Sequence, residues 1–582
     1  MGFFHSGKAP EGGIVPDVAL VLNQLLRFFA TASLLIAGIS PLLAQTTVEP
    51  PPPLGERAIP SASLPTPADL PLRIEQALHQ SSSDGGPADS PEAAVIRLFY
   101  HARGYRPVWT GNERTRAVLA AVEASRAHGL APADFAIDAL RREAAGGGGD
   151  RDAIVRRELL FTGALARLAR QLHYGKVDPR ALYSIWNFSP LPDASERAQM
   201  LTDLLEADSL TTALAALAPQ DKAYRALQKG LSRFTELAAS GGWPSIPAGA
   251  TLRPGEREAR VRALRARLQA EDPAADLAAA PGSDPARYDK ALAAAVERFQ
   301  RVHGLAVDGA VGPLTLAALN VSAADRAAQI RVNLERLRWV ARDMPADRLA
   351  VDITGFNAEL HLDGALRWSS KVVVGRPARQ TPVLLDEVQH IVLNPKWVVP
   401  PTILREDVIP GMIANAAYLK KRQLRVVDRS GQVVAPELID WSGVRRTGFP
   451  YRIEQQSGAD GALGRIKFAL ANGYAIYLHD TPSPAQFQKP VRALSSGCVR
   501  LEKPRELALL LLDDPQRWDK DALDAAIASR RTQSVPVGRY VPVLLLYRTA
   551  VADELGTVSF RSDIYDQDGA VRALLDTPAR PR

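Results

Sequence analysis

The chain has 582 residues, more than one hydrophobic core usually organises, so two to four folded units are expected. With 46% hydrophobic and 23% charged residues it is neither disordered nor membrane-embedded, and its formal charge of +7, from 71 Lys+Arg against 64 Asp+Glu, favours polyanionic partners without naming one. The single cysteine excludes an intramolecular disulfide and any multi-cysteine zinc site, which leaves Cys498 as a buried spectator or a reagent.

Residues 28–44 (FFATASLLIAGISPLLA) follow Arg27 and have the outline of a secretory signal, which predicts export. An uncleaved inner-membrane anchor is the alternative. Residues 46–90, rich in Pro, Ser, Asp and Gly, are expected to be a disordered linker because they offer little apolar surface to offset ordering entropy. From about Pro91 apolar residues recur three and four apart, as in PEAAVIRLFYHARGY, which predicts a helical domain over 91–245. A Pro/Gly-rich boundary follows, then three helices over 255–322. The middle one stops at Gly304, and Gly309 and Gly312 set a turn before the last.

Beyond Arg348 the runs LAVDITGFNAELHL, LRWSSKVVVG, HIVLN and YAIYLH alternate or stay apolar, which predicts a β-rich domain over 348–530. The interval 397–453 reads as an insertion with helical pieces, of the size used for lids. Two closing strands, YVPVLLLYRTAV and GTVSFRSDIY, are expected to form a hairpin over 536–570 packed on that domain. The fold class is therefore multidomain α+β. No dense Lys/Arg run interleaves with aromatics, so nucleic acid is not an expected partner.

Reactive side chains concentrate in HDTPSPAQFQKPVRALSSGCVRLEKP, residues 479–504. His479 follows an apolar strand over 474–478, and Cys498 follows Ser495, Ser496 and Gly497. A thiol becomes nucleophilic near neutral pH when an imidazole draws off its proton, so His479 is the candidate base. Small residues before the cysteine let backbone N–H groups approach a carbonyl, which makes the amides of Ser496, Gly497 and Cys498 candidates for an oxyanion hole. Tyr477, two residues before His479, shares its strand face and is a candidate pocket residue, with a core tyrosine as the plain alternative. The 9 histidines form no HExxH-like pair, and no metal or other cofactor is predicted.

This cluster resembles the active-site signature of YkuD-type L,D-transpeptidases, a His followed at this interval by Ser-x-Gly-Cys-Val-Arg. The resemblance implies Cys498 as nucleophile, His479 as proton acceptor and donor, and Arg500 with Ser495 in substrate binding. Many members carry His directly before the glycine, where this chain has Ser496; the large Gram-negative subgroup is similar to this chain there. NPKWVVPPTILREDVIPG and LGRIKFAL look like that subgroup's approach to its lid and its exit. Residues 288–320 resemble the common peptidoglycan-binding repeat, with Val296, Phe299, Gln300, Gly304, Leu305, Asp308, Gly309, Gly312, Thr315 and Leu319 in its pattern. There Asp308 and the glycines are expected to shape a turn.

The resemblance implies a helical scaffold domain, a three-helix peptidoglycan-binding module and a β-rich catalytic domain with a helical lid. It also implies peptidoglycan stem peptides and glycan as partners, carbapenem-type β-lactams as inhibitors, and other cell-wall synthesis proteins as further partners. Two rivals are weighed against it. A sortase-like transpeptidase would need a longer His-to-Cys interval, and a non-catalytic wall-binding protein would not need His479, Gly497, Cys498 and Arg500 intact together.

Overall fold

The computed structural model describes residues 69–83, 92–146, 150–272, 275–278, 283–444, 448–458, 460–553 and 556–578. The signal or anchor expected over 1–45 and most of the expected linker lie outside them. Among the described residues no helix is long and apolar enough to cross a membrane.

The N-terminal part is helical: α1 (Leu70–Ser83), α2 (Ala93–Ala102), α3 (Asn112–Ala124), α4 (Ile137–Ala145), α5 (Arg151–Tyr174), α6 (Ala194–Glu206), α7 (Leu210–Leu217) and α8 (Lys222–Ala239). Helix α5 starts where Asp150 accepts a hydrogen bond from the Ala153 N–H, and α6 starts at a capping box of Asp193 and Glu196, so orphan donors are met at both starts. Phe161, Leu165, Leu168 and Leu172 of α5 are buried at the centre of this bundle. Helix α1 corrects the expectation of a linker throughout 46–90. Leu70, Ile74 and Leu78 fall on one face at helical spacing and bury in the same core, a pattern masked by the polar composition around it.

Three helices follow, α9 (Arg260–Glu271), α10 (Lys290–Val302) and α11 (Pro313–Leu319), where the sequence put them. Gln300 organises the turn between the last two. Its Oε1 accepts from the N–H groups of Asp308 and Gly309, and its Nε2 donates to Asp308 Oδ1 and the Ala310 carbonyl. Helix α12 (Ala323–Val340) is buried on nearly every side, so it works as an axle between units rather than as a surface helix.

The β-rich domain contains β1 (Arg348–Asp352), β2 (Asn357–Leu362), β3 (Ala365–Gly375) and β4 (Leu384–Leu393). The insertion carries β5 (Trp397–Val398), β6 (Leu424–Val427), β7 (Val433–Val434) and β8 (Arg452–Gln455), and after it come β9 (Ile466–Leu470), β10 (Leu478–His479), β11 (Ala493–Ser495) and β12 (Val499–Leu501). Helices α13 (Pro504–Leu512) and α14 (Lys520–Ala528) precede β13 (Gln533–Pro536), β14 (Pro542–Leu546), β15 (Ala550–Ala552), β16 (Val558–Phe560) and α15 (Asp568–Asp576).

The main sheet runs β11-β3-β12-β10-β9-β4-β14-β1-β2, and β2 also pairs β3, so the path closes on itself around a shared apolar core. The C-terminal hairpin is corrected on two counts. Strand β14 pairs with β1 and β4 inside this sheet, so the domain continues past 530, and β13 pairs β4 as well. Only β15 and β16 form a hairpin, and Ala550, Val558 and Phe560 bury against Leu227, Leu231 and Phe234 of α8 instead of against the β domain. The lid interval holds the predicted helical pieces and also a four-stranded sheet, β5-β8-β6-β7, over its own small core. A π-helical turn, Leu404–Val408, lies in its helical arm.

Candidate active site

Strands β10 and β12 run parallel, with Leu478 opposite Val499 and His479 opposite Arg500. Strand β9 lies antiparallel on the other side, with Phe468 opposite Leu478 and Lys467 opposite His479. Alternation then sorts the side chains: Phe468, Leu478, Val499 and Leu501 are fully buried in the sheet's core, while Lys467, Tyr477, His479, Cys498 and Arg500 take the other face. The chain before β10 is a turn with Ala475 at φ 57, not the strand expected over 474–478.

That face is the floor of a cleft of about 1110 Å³, walled by residues 376–380 and by the lid through Trp397, Ile403, Glu406, Asp407 and Tyr418. Cys498, His479, Tyr477, Arg500, Ser495, Ser496 and Gly497 all line it. The sulfur is half-buried, with Sγ donating to the Ala475 carbonyl at 3.5 Å and Tyr477 beside it. Among the described residues no hydrogen bond joins Sγ to the His479 ring. The Tyr477 and His479 rings meet edge to face at 5.6 Å, and the Lys467 ammonium stands 4.2 Å over the Tyr477 ring.

Burial dominates the electrostatics. It holds the His479 imidazole down to about 3, with Arg500 adding to the effect and the Asp480 and Leu463 carbonyls opposing it. Nδ1 faces the Asp480 carbonyl, which can only accept, so the neutral ring carries its proton there and keeps Nε2 as the basic nitrogen. Burial also pushes the Cys498 thiol up, against the pull of Tyr477, Lys467 and Arg500. Both effects favour a neutral thiol beside a neutral imidazole over an ion pair at rest.

Arg500 donates to Gln486 Oε1 at 2.8 Å, while its Nε is buried without a partner beside the cleft. Ser495 was expected to contact substrate; instead its hydroxyl donates to the Cys498 carbonyl (2.6 Å) and accepts from the Gly497 N–H (3.1 Å). The Gly497 N–H is thereby engaged, which removes it from the three expected oxyanion donors. Gly497 itself sits at φ 116, a conformation that side chains rarely adopt.

Four residues of the site were not found in the sequence. Arg379, almost buried, donates to Glu406 (2.9 Å) and Asp407 (2.9 Å) of the lid's π-turn and to the Ser496 hydroxyl (3.2 Å). Lys467 reaches the floor from β9, and Trp397 of the lid lines the cleft together with Tyr477. Thr381 bonds the Gly497 carbonyl from behind the wall. The local signal for Arg379 and Thr381 is a polar turn, GRPARQT, directly after an apolar strand, while Trp397 and Lys467 sit in the two segments flanking the lid.

Residues 346–521 match the family model described as the YkuD L,D-transpeptidase catalytic domain. This chain carries a YkuD L,D-transpeptidase domain. Two further matches flank it on the N-terminal side, a scaffold domain over 94–231 and a "Putative peptidoglycan binding domain" over 257–319. A curated Haemophilus influenzae protein named "Putative L,D-transpeptidase" is 38% identical over 240 residues, 41% of this chain and 48% of that protein. The chain thus aligns with about half the length of that relative. A crystal structure of an L,D-transpeptidase from Xylanimonas cellulosilytica is 17% identical, covering 52% of this chain and 99% of that one, with a TM-score of 0.18. The cleft, its cysteine and its lid all belong to the L,D-transpeptidase domain, whereas β13 and β14 complete the sheet beyond the matched residues.

Proposed function

We propose that the chain is an L,D-transpeptidase that cross-links peptidoglycan stem peptides through a thioester on Cys498. One observation carries the reading: the parallel pairing of β10 with β12 sets Cys498, Tyr477, His479 and Arg500 together on the floor of a lidded cleft, within the matched domain.

In this reading the Cys498 sulfur attacks the carbonyl carbon that follows the L-centre of the third stem residue, a diamino acid. His479 takes the thiol proton as the C–S bond forms, then gives it to the leaving amine as the C–N bond to terminal D-Ala breaks. A side-chain amine of a second stem attacks the thioester, loses a proton to His479 and releases the thiol. The Arg500 guanidinium, which lines the cleft, suits a substrate carboxylate or carbonyl. The lid limits water, which as acceptor would give an L,D-carboxypeptidase instead.

The peptidoglycan-related domains support an extracytoplasmic site of action. Export through residues 1–45 to the periplasm is the corresponding proposal, and carbapenem-type β-lactams are proposed to acylate the same sulfur. The test is incubation with tetrapeptide-rich sacculi followed by mass spectrometry of the released muropeptides. New dimers joined through the diamino acid are expected, and none should form with Cys498→Ala; trimmed stems without dimers would replace transfer by hydrolysis.

A further inference from the structure

The wall behind Cys498 is held by a closed set of hydrogen bonds. Strand β3 ends at Gly375, and the chain turns back so tightly that a Cβ there would meet the Arg379 carbonyl at 2.2 Å. The Gly375 N–H donates to Thr381 Oγ1 (2.8 Å), and Thr381 Oγ1 donates to the Gly497 carbonyl (2.7 Å). The Tyr565 hydroxyl closes the set, donating to the Gly375 carbonyl (2.7 Å) and accepting from the Thr381 N–H (3.2 Å). Thr381 is 1% and Tyr565 6% exposed, so water does not compete for these bonds.

Peptide planarity gives this arrangement a chemical consequence. In a trans peptide the C=O and the following N–H point in opposite directions. Thr381 lies outside the cleft lining, whereas Gly497 and Cys498 are part of it. Anchoring the Gly497 carbonyl on Thr381 therefore turns the Cys498 N–H toward the cleft. Ser495 already occupies the neighbouring Gly497 N–H, which leaves the amides of Ser496 and Cys498, and that of Cys498 belongs to the residue that bears the sulfur.

We propose that Thr381, clamped by Tyr565, is a positioning residue that aims the Cys498 N–H at the oxyanion formed when Cys498 attacks an acyl carbonyl. The proposal rests on the reading of Cys498 as an acylated nucleophile. It also gives the C-terminal segment a part in the chemistry, because Tyr565 lies beyond the matched catalytic residues 346–521. That segment is itself fixed: the Tyr565 N–H donates to the Tyr547 hydroxyl, and the two rings stack at 5.4 Å.

Two reactions at the same sulfur test it in the full chain. p-Nitrophenyl acetate acylates a thiolate through a tetrahedral oxyanion, expelling p-nitrophenolate. Iodoacetamide alkylates it at a saturated carbon, expelling iodide, with no oxyanion. Both rates are taken relative to Cys498→Ala as background. Thr381→Val, which keeps the shape and loses the hydroxyl, is expected to slow acylation by about 10- to 100-fold, below the full loss of an oxyanion donor. Its alkylation rate should stay within about twofold of wild type, because thiol ionisation is untouched. Thr381→Ser should restore acylation, and Tyr565→Phe should slow it by about 3- to 10-fold, since the clamp weakens without losing the Thr381 bond. A Thr381→Val protein whose two rates stay unchanged, or fall together, would overturn the proposal, as would failure of Thr381→Ser to rescue. Wild-type protein that is acylated in this assay yet makes no muropeptide dimers would sink the transpeptidase reading and leave the positioning role standing.

Discussion

His479 stands directly opposite Arg500 in the β10–β12 pair, where burial, helped by that guanidinium, lowers the imidazole's proton affinity while burial raises the thiol's. A resting ion pair would give a thiolate population insensitive to pH across the neutral range. Here the alkylation rate of Cys498 should climb about tenfold per pH unit between about pH 6 and pH 8, as for a thiol titrating well above that window. Iodoacetamide kinetics followed by intact-protein mass spectrometry would measure it, and a plateau in that window would show a preformed ion pair instead.

Replacing His479 should separate proton transfer from thiol reactivity. No hydrogen bond links its ring to Sγ at rest, so His479→Ala should alter alkylation only modestly. Turnover on stem peptides should fall by about 10²- to 10⁴-fold, the usual contribution of a positioned general base. Equal losses in both assays would mean that the histidine activates the thiol before substrate arrives.

Arg379 joins the wall to the lid through Glu406 and Asp407, with its guanidinium almost buried and the two carboxylates part-exposed. Partial exposure discounts these pairs, and their loss in Arg379→Gln should cost the closed lid about 1–2 kcal/mol. Hydrogen exchange in residues 401–421 should then speed up by about tenfold, with the β-sheet amides unchanged. Water reaches an acyl-enzyme more easily under a loosened lid, so the ratio of trimmed to cross-linked product should rise. Unchanged exchange in 401–421 would mean the lid is held by its other contacts.

Buried histidines make stability depend on pH. Burial depresses the imidazoles of His128 to about 4 and of His303 and His479 to about 3, below the ordinary 6.5 of an unfolded chain. As pH falls below about 6.5 the unfolded chain binds protons that the folded chain does not, so folding stability drops. Each histidine should cost about 2 kcal/mol between pH 7 and pH 5. The Tm should therefore fall over that interval, and His303→Gln, removing one titrating ring, should flatten the fall. A Tm that rose on acidification would show that carboxylates, not these rings, control the balance.

What the sequence disclosed followed chain distance. His479, Gly497, Cys498 and Arg500 lie within one short stretch and carry their chemistry in residue type, so a local reading singled them out, and the fold brings them to one cleft. Arg379, Thr381 and Tyr565 reach the same site through β3, its pairing with β11 and β12, and the segment after β16. Nothing in their own neighbourhoods records those pairings. Strand β14 was misread for the same reason: PVLLL suits any buried strand, and its pairings with β1 and β4 place it in the main sheet. Ser495 was expected at the substrate from the family resemblance; it lines the cleft, but its hydroxyl is engaged within a tight turn that has Gly497 at positive φ, a bond no residue type announces.

Lys176 carries the last expectation, because it ties the helical scaffold to the segment that bears Tyr565. Its ammonium sits 2.7 Å from the Asp134 carboxylate and 2.8 Å from the carbonyls of both Leu575 and Thr577. Both charged side chains are nearly buried, so Lys176→Met leaves the Asp134 carboxylate without its ammonium and should destabilise the protein by about 3 kcal/mol. Because α15 and Tyr565 share this C-terminal segment, the loss should not stay in the scaffold. The rate of p-nitrophenyl acetate acylation should fall at a temperature where the variant is still folded, while iodoacetamide alkylation holds. Calorimetry gives the first quantity and the paired rates give the second. A variant with a lowered Tm and an unchanged acylation rate would show that the scaffold supports the C-terminal helix without reaching the active site.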